Sequence, residues 1–232
     1  MDYIGWRQKP DVPWLYKCGK NNALQEIKIL RMALFEAMAR GWLDHNAASK
    51  LGIEKNRPEE KPAMTDEEIT TIRQELTKEP AWMSICFEIA LHQALRLRQC
   101  AFPISCIDLD RMTLTYPTDI VKGKRPFSHP IDPRIVPLLQ KLKARKRKKT
   151  CEIPDMPSKA FWLFFKRIGM RHLCFHCTRV TWITRAAIGN VPIQKAMRFV
   201  NHASTEIHKI YLRLVSDDLQ DVPMMVKLPD LP

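Results

Sequence analysis

Four side chains suited to phosphate chemistry lie within one stretch of the chain, residues 175–214. His176 and Arg179 are three residues apart, so a helix places both on the same face. His202 and Tyr211 follow in the same stretch. A tyrosine, an arginine and two histidines gathered around one point form an apparatus for attack on a phosphodiester. The elements upstream must then supply more positive charge and position these groups.

Further cationic groups are expected from those upstream elements. The segment that follows Pro80 is apolar almost all round, which predicts a buried helix, and its last turn presents Arg96 and Arg98. A buried charge needs a partner, which is either a structural carboxylate or a bound phosphate. Lys122 stands beside Gly123 in the connection between two predicted strands, where an ammonium group can come close to a ligand.

Hydrophobic periodicity predicts a mainly α fold with a small antiparallel β-sheet (α+β). The three predicted strands are ISCIDLD, MTLTYP and FSHPI. A helix is expected after Pro133, and another over Ser158–Ile168 with its core side chains at Phe161, Trp162, Phe164 and Phe165.

Two helix starts are predicted from capping boxes. The first helix is expected to begin at Asn22, with Gln25 as its capping partner, and to end at Gly41. Its apolar positions follow the helical period: Leu24, Ile27, Leu30, Leu34 and Met38. A short helix around Asp44–Leu51 is expected next. The second capping box is formed by Thr65 and Glu68 and leads a helix whose inner face is Ile69, Ile72 and Leu76.

The charged, proline-bearing stretch EKNRPEEKPA separates these helices without any periodicity, which is typical of a linker. It divides the chain into a short helical domain (1–56), a linker (57–63) and a main domain (64–232).

The composition favours a polyanionic partner. The chain has 38 Lys and Arg residues against 25 Asp and Glu, a net charge of +13. The densest basic run is Lys143 to Lys149, which is either a solvated face, a contact to a DNA backbone or an import signal. No apolar run is long enough to cross a membrane, and the first residues do not resemble a secretory signal. Seven irregularly spaced cysteines fit a reducing cytosol, so a cytoplasmic, nucleoid-associated protein is expected.

The ordered set of candidate residues resembles the tyrosine recombinases, or phage integrases. The residues that carry the likeness are Arg96 in QALRLRQ, Lys122 in VKGKRP, the H-x-x-R of His176 and Arg179, His202 in FVNHAS, and Tyr211 nine residues later. The likeness covers roughly residues 65–215, and residues 22–63 more weakly resemble the last helices of the family's core-binding domain. It implies a recombinase catalytic fold preceded by a shortened DNA-binding domain.

The resemblance also implies a role for each residue. Tyr211 attacks the phosphodiester and forms a 3′-phosphotyrosine, while Arg96, Arg179 and His202 stabilise the charge on the phosphate oxygens. His176 activates or orients the tyrosine. Lys122 protonates the leaving 5′-oxygen.

The implied partner is double-stranded DNA, with self-association into a tetramer on DNA and accessory DNA-bending or directionality proteins. No cofactor or metal is expected. The residues expected to contact DNA are Lys124, Arg125, Lys143, Arg145, Lys146, Arg147, Lys148, Lys149 and Arg185.

Four positions depart from the family pattern. Gln93 and Ala94 replace the usual Thr-Gly before the first arginine, Gln99 replaces an acidic residue after it, and Asn201 replaces a glycine before His202. Arg98 is a rival for the role of the first arginine.

Several alternatives remain open at this point. A protein with the same fold that binds DNA but has lost catalysis, and a topoisomerase-like strand-passing enzyme, fit the same residues. A helix-turn-helix over Thr181–Tyr211 with Gly189 in the turn is a non-catalytic possibility. The crowded HLCFHC sequence, residues 172–177, has the residue types of a zinc site but lacks a second ligand pair at suitable spacing.

Overall fold

The computed structural model describes residues 3–9, 11, 16–50, 61–116, 127–145 and 147–200. The chain divides into two compact units, residues 1–60 and 61–232. Within the described residues, no helix is both long enough and apolar enough to span a membrane.

The first unit contains helices α1 (Tyr3–Gln8) and α2 (Lys20–Ala39). Arg7 on α1 and Glu26 on α2 join them through an ion pair of 2.9 Å. The predicted capping box is wrong, because α2 follows Gly19, which has no capping side chain, and Asn22 lies inside the helix. The predicted end is confirmed: Gly41 adopts a φ of +72°, a left-handed conformation that glycine tolerates.

The apolar side of α2 is largely uncovered. Only Ala23 and Leu24 of this helix are buried, whereas Leu30, which the periodicity places on the inner face, is 56% exposed. In place of the predicted helix around Asp44–Leu51, residues 47–50 form a turn, and Leu51 lies outside the described residues.

The second unit is mostly helical. Its helices are α3 (Asp66–Leu76), α4 (Ala81–Gln93), α5 (Val136–Ala144), α6 (Pro157–Arg167), α7 (Cys177–Ile188) and α8 (Ile193–Phe199). The capping box that starts α3 is confirmed, since Thr65 accepts from the Glu68 amide and Glu68 accepts from the Thr65 amide. Ile69, Ile72 and Leu76 are buried as predicted.

A small antiparallel sheet in the order β1–β2–β3 lies between α4 and α5 in the sequence. Its strands are β1 (Ile107–Asp108), β2 (Thr113–Tyr116) and β3 (Phe127–Pro130), with Leu114 opposite both Ile107 and His129. The second and third predicted strands and the mainly α architecture with a small sheet are therefore confirmed. The first predicted strand, ISCIDLD, is confirmed only at Ile107–Asp108, because Ile104–Cys106 form a 3₁₀ helix. The connection between β2 and β3, residues 117–126, lies outside the described residues.

The main core collects buried side chains from α3, α4, α5, α6 and the sheet. On α6, Phe161, Phe164 and Phe165 are buried as predicted. The prediction for Trp162 is wrong: it is 53% exposed and its ring lies against the Lys166 ammonium group. The helical period explains the difference, because positions 161, 164 and 165 share a face and position 162 is turned about 100° from 161.

Candidate functional site

The segment that carries the first candidate arginine leaves α4 through a left-handed residue. Helix α4 ends at Gln93, and Ala94 follows with φ 51° and ψ 30°. Arg96 then adopts an extended conformation and precedes a short 3₁₀ helix, Leu97–Cys100. The prediction that Arg96 and Arg98 lie in the last turn of the buried helix is therefore wrong. The left-handed turn at Ala94 redirects the chain before either arginine.

The two arginines of this segment differ in their contacts. Arg98 is exposed, and its Nη2 donates to the main-chain carbonyl of Asp155 at 2.8 Å. Arg96 is half-buried, and among the described residues no carboxylate forms an ion pair with it. The structural carboxylate, one of the two partners predicted for this charge, is thus not seen among the described residues.

Arg179, in the first turn of α7, is the most deeply buried charged side chain described, at 1% exposure. Its Nη1 donates to the carbonyl of Ala94 at 2.5 Å, and its Nη2 donates to the carbonyl of Val200 at 2.7 Å. Ala94 is two residues before Arg96, and Val200 is two residues before His202. The guanidinium therefore ties together the main chains of two segments that lead into candidate residues.

Apolar packing reinforces this tie. Ala94 shares a small buried cluster with Ile183 and Ala187 of α7, and with Ala196 and Val200 at and after α8. On the partly exposed side of the cluster, the rings of Trp182 and Phe199 stack with centroids 4.5 Å apart.

The end of α4 is also tied to the sheet. With its amide oriented to satisfy both neighbours, Gln93 donates to the Pro130 carbonyl at 3.2 Å and accepts from the Asp132 amide at 2.6 Å. The strand β3 that ends at Pro130 is the one that returns from the connection containing Lys122. Gln93 and Ala94, which sequence reasoning noted only as departures from a pattern, thus lie where α4, β3 and α7 meet.

His176 is the residue immediately before α7 and is half-buried, with φ −63° and ψ −20°. It stands three residues before Arg179, and the meeting of the two side chains at one point stays a prediction. The two side chains differ in environment, because Arg179 points into the core whereas His176 retains access to solvent.

His129 on β3 is a buried histidine that sequence reasoning missed. Its ring lies 5.0 Å from the ring of Phe199 and 5.1 Å from that of Phe127. Burial among apolar rings disfavours the imidazolium form and lowers the pKa of His129 to about 4. His129 is therefore a neutral packing group. The alternation of β3 was the signal available, since it places His129 on the same face as buried Leu114 of the neighbouring strand.

A cavity of about 540 Å³ lies beside this region and is lined by charged side chains of α3, α4 and α7. Burial alone would raise the pKa of Glu88 there, but hydrogen bonds from His92 and Arg73 outweigh it and lower that pKa to about 2. Arg185, a predicted DNA contact, is ion-paired with Asp66 at 2.5 Å on the rim of the same cavity.

The basic run is anchored to the segment that follows Arg96. The Ile104 amide donates to the Lys148 carbonyl at 3.0 Å, and the Thr150 amide donates to the Phe102 carbonyl at 3.0 Å. Lys143 lies in the last turn of α5, and its Nζ donates to the Ile107 carbonyl at 3.3 Å. Arg145, Arg147, Lys148 and Lys149 are exposed. The main chain of the basic run is thus bonded to residues 102–104, which follow Arg96 in the sequence.

Six of the predicted site residues lie outside the described residues: Lys122, Lys124, Arg125, Lys146, His202 and Tyr211.

The two alternative sites, a helix-turn-helix and a zinc site, are matched only in part by the structure. A helix, a turn and a helix do follow one another as α7, residues 189–192 and α8, but the left-handed residue in the turn is Asn190 (φ 54°), and α8 has 7 residues. In the HLCFHC sequence, His172 is bonded to Glu68 at 2.6 Å. No group of three or more His, Cys, Asp or Glu side chains within the described ranges is arranged to hold a metal ion.

Comparisons with known proteins agree with this architecture. The model of the phage integrase family matches residues 62–217. Comparison with curated proteins gives no match.

Solved structures with the same fold include three named integrases or recombinases. The Tn1549 transposon integrase, in complex with circular intermediate DNA, has a TM-score of 0.62 at 12% identity over 90% of this chain and 80% of that one. A lambda integrase dimer bound to a COC′ core site has a TM-score of 0.64 at 18% identity over 79% and 72%. The XerA recombinase has a TM-score of 0.53 at 14% identity over 90% and 76%.

Proposed function

We propose that this chain, which belongs to the phage integrase family, cleaves and rejoins DNA strands at specific sites through a covalent intermediate on Tyr211. The family is that of the tyrosine recombinases, which break and rejoin DNA. The observation that carries the proposal is the double hydrogen bond of Arg179, which joins the main chain just before Arg96 to the main chain just before His202.

The chemistry follows from the charge that develops on a phosphodiester under attack. Two non-bridging oxygens gain charge in the transition state, and fixed cationic donors stabilise it. We assign this role to Arg96, whose planar guanidinium offers a fork of donors to phosphate oxygens and is not paired with a described carboxylate. His202 is proposed as a second donor.

The burial of Arg179 indicates that this side chain has a positioning role. A guanidinium has five N–H donors, and the Ala94 and Val200 carbonyls each take one. We therefore assign to Arg179 the positioning of the Arg96 and His202 segments, in addition to any donor it directs at the phosphate. Small misplacements of catalytic groups cost up to about a hundredfold in rate, so such positioning matters for activity.

The remaining steps, attack on phosphorus and release of the 5′-oxygen, are assigned to Tyr211, His176 and Lys122. The Tyr211 oxygen attacks phosphorus, and His176 orients it or accepts its proton. The bond from phosphorus to the 5′-oxygen breaks, and Lys122 gives that oxygen a proton. The phosphotyrosine link retains the energy of the broken bond, so the reverse attack by a 5′-hydroxyl reseals DNA without ATP.

DNA is the proposed partner, with residues 1–56 as a DNA-binding domain and the exposed basic run along the phosphate backbone. The lambda and Tn1549 integrases in the matched structures are bound to DNA, which supports this assignment. Assembly into a tetramer on DNA, help from accessory DNA-bending or directionality proteins, and association with the nucleoid are parts of the same proposal.

Trapping the covalent intermediate tests the proposal. The protein is incubated with a pool of nicked duplexes, in which cleavage near the nick releases a short strand and prevents religation. A protein–DNA adduct that survives denaturation is expected, and digestion should place the DNA on the peptide that contains Tyr211. Tyr211→Phe should abolish the adduct.

Tyr116→Phe is the matched control, because the buried Tyr116 hydroxyl has no hydrogen-bond partner among the described residues and its loss should leave the adduct unchanged. DNA binding without any adduct from the wild-type protein would refute cleavage and favour the DNA-binding protein that has lost catalysis. Relaxation of supercoiled plasmid by a single subunit, without joining of two duplexes, would favour the topoisomerase-like enzyme.

A further inference from the structure

Cys174 and Cys177 form a close thiol pair in the turn that leads into α7. Their sulfur atoms are 3.8 Å apart, and the Cys177 amide donates to the Cys174 carbonyl at 2.9 Å. A hydrogen-bonded turn of four residues brings its end Cα atoms within about 7 Å. Disulfides span Cα distances of about 4.4–6.8 Å. The main chain is therefore close to the geometry of a bridged pair, and side-chain rotation would bring the sulfurs together.

The two thiols differ in access and in acidity. Cys174 is half-buried, while Cys177 is fully buried. The hydrogen bond between the two sulfurs, in which either can be the donor, lowers the pKa of Cys174. Burial opposes this shift, and the amides of His176 and Cys177 add to it. The same neighbour and burial raise the pKa of Cys177. Cys174 is thus the accessible thiolate and Cys177 the thiol poised to resolve it.

Another close thiol pair shows what distinguishes this one. Cys86 and Cys151 have sulfurs 3.6 Å apart, but both are buried in the main core. A hydrogen bond with Cys100 raises the pKa of Cys86, and the hydrogen bond with Cys86 raises the pKa of Cys151; desolvation adds to both shifts. Such thiols are inert towards reagents in solution. Proximity alone therefore does not make a reactive pair; access and acidity do.

We propose that Cys174 and Cys177 are a reversible dithiol–disulfide couple that controls the position of His176. The ring closed by the disulfide contains only two other residues, Phe175 and His176. Phe175 is buried, with its ring 4.5 Å from the ring of Phe161, so it resists displacement. His176 is the half-exposed residue of the ring and absorbs the change when the sulfurs close from 3.8 Å to about 2.0 Å. The effect on DNA cleavage rests on the function proposed above for His176.

The oxidant is a small disulfide such as oxidised glutathione. The Cys174 thiolate attacks one of its sulfurs, forming a mixed disulfide and releasing one glutathione thiolate. Cys177 then loses its proton to solvent, and its sulfur attacks the Cys174 sulfur. That step releases the second glutathione thiolate, and both thiolates take up protons. The protein loses two protons and two electrons, and the oxidised glutathione takes them up to become two molecules of reduced glutathione.

Formation of the Cys174–Cys177 disulfide can be measured by mass spectrometry without any activity assay. Cleavage after Arg171 and Arg179 yields the peptide HLCFHCTR, which contains both thiols and no other cysteine. After equilibration with mixtures of reduced and oxidised glutathione and alkylation of free thiols, this peptide is expected to escape alkylation and to lose about 2 Da. Retention of two alkylated cysteines under excess oxidised glutathione would overturn the proposal.

The displacement of His176 is read by NMR of the histidine rings. The His176 signal is identified by its absence in His176→Gln, and it is expected to shift on oxidation and to return with dithiothreitol. In Cys174→Ser it should not respond to oxidant, whereas Cys18→Ser, which leaves the pair intact, should respond like the wild type. A His176 signal that does not move while the disulfide forms would overturn the control of its position.

The functional consequence is measured in the covalent-adduct assay. Oxidation is expected to slow adduct formation about tenfold or more, and dithiothreitol is expected to restore it. Equal rates before and after complete disulfide formation would overturn the functional half of the inference. Absence of adduct in both redox states would instead refute the proposed cleavage, while the mass and NMR readouts would still decide the couple.

Discussion

Replacing Arg179 by lysine should loosen the junction that the candidate site is built on. Arg179 is 1% exposed and bonds two main-chain carbonyls, those of Ala94 and Val200. A lysine ammonium keeps the charge but cannot reproduce the planar fork that reaches both carbonyls. One charge-assisted hydrogen bond, worth about 1.5–3 kcal/mol, is therefore removed. We expect the free energy of opening for α7 and α8 to fall by about 2 kcal/mol.

Hydrogen exchange measured by mass spectrometry is suited to this test, because the chain has two compact units whose unfolding transitions need not coincide. A decrease of about 2 kcal/mol makes exchange about 30-fold faster in peptides from α7 and α8. Lysine at position 179 should also reduce the covalent adduct, because the Arg96 segment loses one of its ties.

Arg185→Lys is the matched control, since Arg185 lies on the same helix with its side chain 49% exposed and pairs with an Asp66 that is 81% exposed. Exposed pairs of this kind contribute about 0.2–1 kcal/mol, so exchange should change by less than about fivefold. If Arg179→Lys accelerates hydrogen exchange no more than Arg185→Lys, the hydrogen bonds from Arg179 to the two carbonyls do not stabilise the junction. The positioning role of Arg179 is then wrong.

Three further predictions concern the same unit. His129 has a pKa of about 4 against an ordinary 6.5, so the unfolded chain binds the proton first as the pH falls. The contribution of neutral His129 to the free energy of unfolding is fully present above pH 6.5, and about 3 kcal/mol of it should be lost between pH 6.5 and pH 4. His129→Phe should remove that part of the pH dependence in urea unfolding, and an unchanged slope would contradict the assignment. Ala94 has a φ of 51°, a left-handed conformation that glycine adopts without strain, so Ala94→Gly should change the free energy of unfolding by less than about 1 kcal/mol. The β-branched Ala94→Val should lower it by more than about 2 kcal/mol in the same measurement. Equal effects of the two substitutions would argue against the left-handed turn. Replacing Lys148 and Lys149 by glutamine should make the plot of log binding constant against log salt concentration less steep, by about 0.9 for each phosphate that the protein no longer neutralises. Lys159→Gln on α6 is the control. If both variants give the same slope, the basic run does not contact DNA.

Local signals in the sequence were sufficient for much of the architecture. The capping box of Thr65 and Glu68 needs only four consecutive residues, and it forms as predicted. The alternation of the three short strands likewise depends on near neighbours, and it predicted the antiparallel sheet. Such features are encoded within one or two turns of chain, which is the range over which residue patterns act directly.

Patterns failed where a distant contact or its absence decided the outcome. Leu30 follows the helical period, yet it is exposed because periodicity describes an apolar face and not whether anything covers it. Trp162 is apolar and beside three buried phenylalanines, but it lies on the other side of the helix. Arg96 was expected in the last turn of a helix because the segment after Pro80 is apolar almost all round, and no local signal indicates that Ala94 adopts a left-handed conformation.

By itself, the sequence determined the inventory of this protein: its mainly α fold, its net positive charge, and a set of residue types in an order that matches a family of DNA recombinases. The tertiary structure decided which of the described residues serve as anchors. Arg179 and Ala94 are 85 positions apart, and only folding brings the guanidinium of one to the carbonyl of the other. A hydrogen bond of that range depends on the packing of α4, α7 and α8 together, and no local pattern encodes it.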